Sequence, residues 1–250
     1  MKFLQWLHTA YGLVIFVLLF AILFPFFLIP ILWPSQFRLV GVLNRLWARL
    51  VFLFVFLPFR LEYRGKLDAQ RQYIFCPNHF SYLDIPAMGL SHHNTIFVGK
   101  NDMVGIPLFG LMYRKLHITV DRSKLKARYS MLERCREAVD AGKSLVIFPE
   151  GGIITEGEPV LSRFKDGAFR VAIEKQIPIV PVTIPYNWII LPADQFLLHW
   201  HPLKVVFHEP VETAGMTLKD LEPLKEKVYH IIHEELLRQI AYENRPRVAG

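Results

Sequence analysis

From Tyr11 to Trp33 the chain runs 23 residues without a charged side chain. A run of that length belongs in a protein core or in a lipid bilayer, which limits every fold the rest of the chain can adopt. As one continuous helix it would reach about 34 Å, against a hydrocarbon core of about 30 Å. Pro25 and Pro30 each remove a backbone donor and tend to kink or stop a helix. A kink or stop is therefore expected there, and the 14 residues before Pro25 are too few to span alone.

A second helix is expected from Phe37 to Phe59. Arg38, Arg45 and Arg49 are spaced by seven and four, which puts the three guanidinium groups near one face. A basic stripe beside Leu, Val, Phe and Trp suits a helix lying at a bilayer surface with its arginines among the headgroups. A secretory signal peptide would be shorter and would end in a small-residue cleavage site, and a buried soluble hairpin is the competing structural explanation. If the first segment spans, Lys2 precedes it while Arg38, Arg45, Arg49, Arg60, Arg64 and Lys66 follow. The excess of positive charge places the remainder on the cytoplasmic face, on a monotopic or single-span anchor. We divide the chain into a membrane-associated helical motif over 1–59 and a globular domain over 60–250.

The net charge of +7 suits an anionic partner such as a membrane surface, an acidic carrier protein or nucleic acid. Cys76 and Cys135, the two cysteines, form no CxxC pair and no disulfide framework, which fits a reducing compartment. The histidines lack the cysteine and carboxylate spacing of a zinc site, so no metal is expected.

Beyond residue 60 short apolar runs alternate with longer amphipathic ones. Strands are predicted at Tyr73–Cys76, Thr95–Val98, His117–Val120, Ser144–Phe148, Ile179–Ile184 and Lys204–Phe207. Helices are predicted over Lys124–Ala141, closed by Gly142, over Phe164–Gln176, and after the capping-box pattern at Thr217. This alternation implies an α/β fold: a mixed, largely parallel sheet flanked by helices and preceded by an N-terminal membrane-associated two-helix motif.

Three polar motifs then fall at strand exits. Asn78-His79-Phe80-Ser81-Tyr82-Leu83-Asp84 follows the first predicted strand, Asp121-Arg122 the third, and Phe148-Pro149-Glu150-Gly151 closes the fourth. In open α/β sheets ligands bind outside the carboxyl ends of the strands, so parallel strands would bring all three to one edge. A histidine five residues before an aspartate supplies a general base and the carboxylate that orients it. Each motif also has a plainer explanation. Ser81-x-x-Asp84 reads as a helix cap, although Pro86 shifts the helix start to Asp84 or Ile85. Phe-Pro-Glu-Gly reads as a tight turn. Cys76 reads as a small buried hydrophobe, and Ser81 sits in nothing like a nucleophile elbow.

Taken in order, Asn78 to Asp84, Asp121-Arg122, Phe148 to Gly151 and Ile179-Val180-Pro181-Val182 resemble the four blocks of the glycerolipid acyltransferases, over roughly residues 60 to 210. The likeness is strongest to the 1-acylglycerol-3-phosphate acyltransferases. Phe164-Lys165-Asp166-Gly167-Ala168-Phe169 resembles the stretch between the third and fourth blocks. The resemblance implies His79 and Asp84 as a catalytic dyad and Arg122, Glu150 and Gly151 as acceptor-binding residues. Asn78, Ser81 and Lys165 join the expected substrate-binding set. It implies a membrane bilayer, acyl-CoA or acyl carrier protein, and a lysophospholipid acceptor as partners, with no nucleic acid and no cofactor. Many members continue the third block with Thr-Arg-Ser, where this chain has Gly152-Ile153-Ile154. The remaining alternatives are acylation of glycerol-3-phosphate or another lysolipid, and a membrane-tethered scaffold without activity.

Overall fold

The strands that the apolar runs predict are buried on both faces, as parallel strands covered by helices must be. The computed structural model describes residues 2–100, 104–120, 125–153 and 160–243. Among these, β1 (Phe59–Tyr63), β2 (Ile74–Pro77), β3 (Thr95–Lys100), β4 (Ile118–Val120), β5 (Ser144–Ile147), β6 (Ile179–Thr183) and β7 (Leu203–Phe207) form one sheet. Its order is β1-β7-β6-β2-β5-β3-β4. From β6 to β4 the five strands are mutually parallel, β7 runs antiparallel to β6, and β1 is parallel to β7. The carboxyl ends of β2, β5 and β4 therefore share one edge.

Alternation along each strand divides the interior into two layers. Phe75 and Val146 face a core built with α1 (Lys2–Leu32), α2 (Arg38–Phe54), α3 (Asp84–Gly89) and α4 (Phe109–Leu116). Ile74, Cys76 and Leu145 face a second core under α5 (Leu125–Asp140), α6 (Gly167–Lys175) and α8 (Leu221–Glu243). The short α7 (Asn187–Ile190) follows β6.

Four expectations change. First, α1 continues through Pro25 and Pro30 to Leu32. The two lost donors are outweighed by packing, since Phe20, Leu23, Phe27 and Pro30 are buried along the side facing the protein. Second, α2 stops at Phe54 instead of Phe59, where Phe56 takes a positive φ of 59°. Third, the residues just beyond form β1, which carries Arg60 and Glu62 at the sheet margin and pairs with β7 some 140 positions later. Phe59, Leu61 and Tyr63 do alternate with Arg60 and Glu62, but the five residues follow closely on the apolar run of α2 and their partner is too distant for a local pattern to show. Fourth, Arg45 does not join Arg38 and Arg49 at the surface. Its Nε and Nη2 donate to the carbonyls of Ser91 (2.8 Å) and His92 (2.6 Å), which fastens α2 to the segment after α3.

The ends of α5 and α8 follow local chemistry. Gly142 adopts φ 80° and donates its N–H to Val139, closing α5. Thr217 and Asp220 form the expected capping box, and Pro223 falls in the first turn of α8, where its missing donor costs little.

Candidate active site

β2 ends at Pro77, and the chain turns through residues 78–83 before α3 begins at Asp84. That start puts Pro86 in the first turn of α3, which is why the helix cannot begin at Ser81. Asp84 is fully buried. A buried carboxylate needs its hydrogen-bonding capacity filled, and four donors fill it here. Its Oδ2 accepts the backbone N–H groups of Phe80 (2.8 Å) and Ser81 (2.9 Å) and pairs with Nδ1 of His79 (3.0 Å). Its Oδ1 accepts Nδ2 of Asn187 (2.8 Å). An acceptor at Nδ1 holds the proton there and leaves the lone pair on Nε2. The imidazole also stacks on Phe148, with ring centroids 4.0 Å apart and planes inclined by 23°. Its side chain is 12% exposed.

Phe148 belongs to the turn after β5, so the first and third motifs meet. Glu150 is 2% exposed. Its Oε1 accepts the backbone N–H of His79 (2.7 Å) and its Oε2 that of Ser162 (2.9 Å). Burial pushes the carboxyl up to about 7, against the lowering effect of those two N–H groups, and the nearby Asp84 adds to the rise. Gly151 has φ 81°, and a Cβ there would stand 2.8 Å from Cδ and Cε of Lys165. Only glycine lets the lysine lie across this turn. Lys165 is exposed and its own N–H bonds to Pro149 (2.8 Å).

Asn78 and Ser81 do not reach solvent. The Asn78 amide accepts the N–H of Ile184 (2.7 Å) and donates to its carbonyl (3.0 Å). Ser81 Oγ donates to Leu191 (2.7 Å) and accepts from Leu83 (3.2 Å). Both side chains tie the loop in place and neither is open to substrate, contrary to their expected membership of the substrate-binding set. Asp121 and Arg122 lie outside the described residues. Cys76 is buried and its thiol is pushed well above the usual range by desolvation, so it stays protonated.

Beside the loop lies a cavity of about 560 Å³, within the usual range of ligand pockets. Its wall is almost wholly apolar and includes Phe16, Phe20 and Trp47, with Leu83, Ile85 and Pro86 from either side of Asp84.

The sequence model of the acyltransferase family matches residues 60–185, which contain His79, Asp84, Glu150 and Gly151. The chain belongs to the acyltransferase family. Among its relatives is the 1-acyl-sn-glycerol-3-phosphate acyltransferase of Limnanthes alba, 27% identical over 218 residues, covering 86% of this chain and 75% of that protein. The enzyme of the same name from Haemophilus influenzae is 29% identical over 215 residues, covering 82% and 86%. The crystal structure of the 1-acyl-sn-glycerophosphate acyltransferase of Thermotoga maritima superposes with a TM-score of 0.79 over 98% of this chain and 99% of that one. At 20% identity this establishes the shared fold, N-terminal helices included.

Asn187 and the backbone of Ser162 are what sequence reasoning missed in this acyltransferase. Asn187 lies five residues beyond Val182, the end of the fourth block, in a segment with no recognisable polar pattern. Only the crossing of β6 beside β2 brings it to Asp84.

Proposed function

We propose that this acyltransferase moves an acyl group from a thioester to the free hydroxyl of 1-acylglycerol-3-phosphate, giving phosphatidic acid. The observation that carries the reading is the His79–Asp84 pair, with Nδ1 occupied and Nε2 left as the basic nitrogen. Nε2 takes the hydroxyl proton as the oxygen attacks the thioester carbonyl, and Asp84 stabilises the imidazolium that forms. The tetrahedral adduct collapses by breaking the C–S bond, and the imidazolium returns the proton to the departing thiolate. The thioester is already activated, so the residues need no cofactor to complete the exchange. Acyl-CoA and acyl carrier protein both supply that chemistry. The apolar cavity beside Leu83 and Pro86 suits an acyl chain. A panel of lysolipids incubated with purified protein and acyl-CoA tests the proposal. Acyl transfer to 1-acylglycerol-3-phosphate supports it, and transfer only to neutral lysolipids, or none, refutes it.

Recognition of the acceptor phosphate falls to Arg122 and Lys165 in this reading. Lys165 lies across Gly151, next in sequence to Glu150, and Arg122 stands two positions after Val120, the last residue of β4, in the sequence. A charge-assisted contact is worth about 1.5–3 kcal/mol. Arg122→Ala or Lys165→Ala should therefore lower kcat/KM for the phosphorylated acceptor roughly 10- to 100-fold. A neutral lysolipid that the enzyme accepts should be little affected. Equal losses on both acceptors would make the residue structural.

The enzyme sits in this reading on the cytoplasmic face as a monotopic protein. Leu4, Leu7, Tyr11, Val14, Leu18, Ile22 and Phe26 are exposed at helical spacing along one face of α1. Both ends of α1 touch the globular fold: Gln5 bonds to His199 (3.1 Å) near the start, and Phe27 is fully buried near the end. A helix pinned at both ends lies along the protein instead of crossing the bilayer away from it, with its apolar stripe toward lipid. Leu7→Glu combined with Leu18→Glu should cut flotation with anionic vesicles at least about 10-fold, because a charge at lipid depth costs a few kcal/mol. Unchanged flotation would locate the membrane face elsewhere.

A further inference from the structure

The segment after β6 holds the His79 loop at three places. Ile184 takes both ends of the Asn78 amide, Leu191 accepts from Ser81, and Asn187 reaches the carboxylate of Asp84. The first two contacts set the path of the backbone. Asn187 alone touches a side chain of the dyad.

We propose that Asn187 is a positioning residue of the transfer reaction, its amide holding Asp84 so that Oδ2 stays aligned with Nδ1 of His79. The inference rests on the dyad reading above and extends it to a residue outside the family blocks. Three observations support it. Asn187 is fully buried and its Nδ2 lies 2.8 Å from Oδ1 of Asp84. The carboxylate fixes which end of the amide faces it, since the reverse would set two oxygens together. Oδ1 of Asn187, in turn, is buried without a hydrogen-bond partner among the described residues. A residue kept for packing alone would avoid that unsatisfied acceptor, as leucine does.

The geometry explains what the contact does. Oδ2 is held in the loop by two backbone N–H groups and the imidazole, whereas Oδ1 is reached by Asn187. Without a donor on Oδ1 the carboxylate is held through Oδ2 alone and can pivot about that oxygen, since terminal torsions of this kind are broad. Pivoting turns Oδ2 off the line to Nδ1 and tilts the ring, so Nε2 no longer meets the acceptor hydroxyl at a fixed distance. The lysolipid still binds, because Asn187 is buried away from it. The loss falls on kcat.

Asn187→Asp, Asn187→Ala and His79→Ala, each in the full chain, decide the matter in steady-state assays across pH with 1-acylglycerol-3-phosphate and acyl-CoA. Both Asn187 variants should lose roughly 10- to 100-fold in kcat while KM changes less than about twofold, the pattern of an interaction felt in the transition state. The titratable groups bonded to His79 among the described residues are Asp84 on α3, at Nδ1 of the ring, and Glu150 on the turn after β5, at the backbone N–H. Asn187→Asp sets a second buried carboxyl against Asp84, where the two share one proton whose loss is coupled to the imidazole, and the acid limb of the kcat profile should move from its wild-type position. A merely structural residue would lower the active fraction and leave that limb in place. Should the extra carboxyl prevent folding, Asn187→Leu serves as the near-isosteric variant without a donor and should show the same kcat loss at unchanged KM. Turnover within twofold of wild type in a folded Asn187 variant, or a loss carried by KM, overturns the proposal. If His79→Ala keeps wild-type turnover, the dyad reading falls and this inference with it. An inactive His79→Ala beside normal Asn187 variants sinks the inference alone.

Discussion

His79→Ala should lower kcat by about 100- to 10,000-fold, the usual contribution of a positioned proton acceptor. The fold should survive. His79 bonds through its side chain to Asp84 and stacks on Phe148, but its ring is partly exposed, and Asp84 keeps the donors from Phe80, Ser81 and Asn187. Thermal melting near that of wild type together with lost acyl transfer is the expected pair of results. Wild-type turnover in the purified variant would remove the dyad. Asp84→Asn behaves differently. Every hydrogen bond to this carboxylate comes from a donor, so an amide there must turn its own NH2 toward either Asn187 or the three donors on Oδ2. That leaves buried donors facing each other, at about 1–3 kcal/mol per unsatisfied group. Asp84→Asn should lose both activity and stability, and His79→Ala activity alone.

Glu150→Ala should cost about 2–6 kcal/mol of stability, because it leaves the buried N–H groups of His79 and Ser162 without acceptors at about 1–3 kcal/mol each. Activity should fall too, since the N–H of His79 is what Glu150 holds at 2.7 Å. The pH dependence has a definite sign. Burial raises this carboxyl to about 7, above its ordinary value of 4.5. Across that window the folded chain holds a proton that the unfolded chain gives up. The stabilisation is therefore full below the ordinary value and is lost as pH rises through about 7. Glu150→Gln has no proton to lose. Its Tm should be lower than wild type at acid pH, where its NH2 faces a backbone N–H, and the gap should narrow toward pH 7. Parallel curves for the two proteins would mean that Glu150 ionises as an ordinary carboxyl.

Much of the architecture was legible because it is periodic or local. The strands β2, β3, β5 and β6 are short apolar runs buried on both faces, and each was predicted within a residue or two. Gly142 and Thr217 end and begin helices through bonds made within a few residues. The His79, Asp84 and Glu150 motifs could be placed at one sheet edge because β2 and β5 are parallel neighbours. In contrast, β1 was missed although Phe59, Leu61 and Tyr63 alternate with Arg60 and Glu62, because these five residues follow closely on the apolar run of α2 and merge with it.

What the sequence by itself determined was the set of short-range choices: the apolar strands, the helix ends and the spacing that lets His79 reach Asp84 within one loop. The tertiary structure decided which side chains of the His79 loop stay partly open and which are buried and only hold the loop. It buried Asn78 and Ser81 against Ile184 and Leu191, and it brought Asn187 to Asp84. It turned Arg45 toward the carbonyls of Ser91 and His92 and carried α1 through two prolines. Each of these depends on segments tens to more than a hundred residues apart. Which donor meets which acceptor across such distances is set by the packing of the whole sheet, a quantity no local pattern contains.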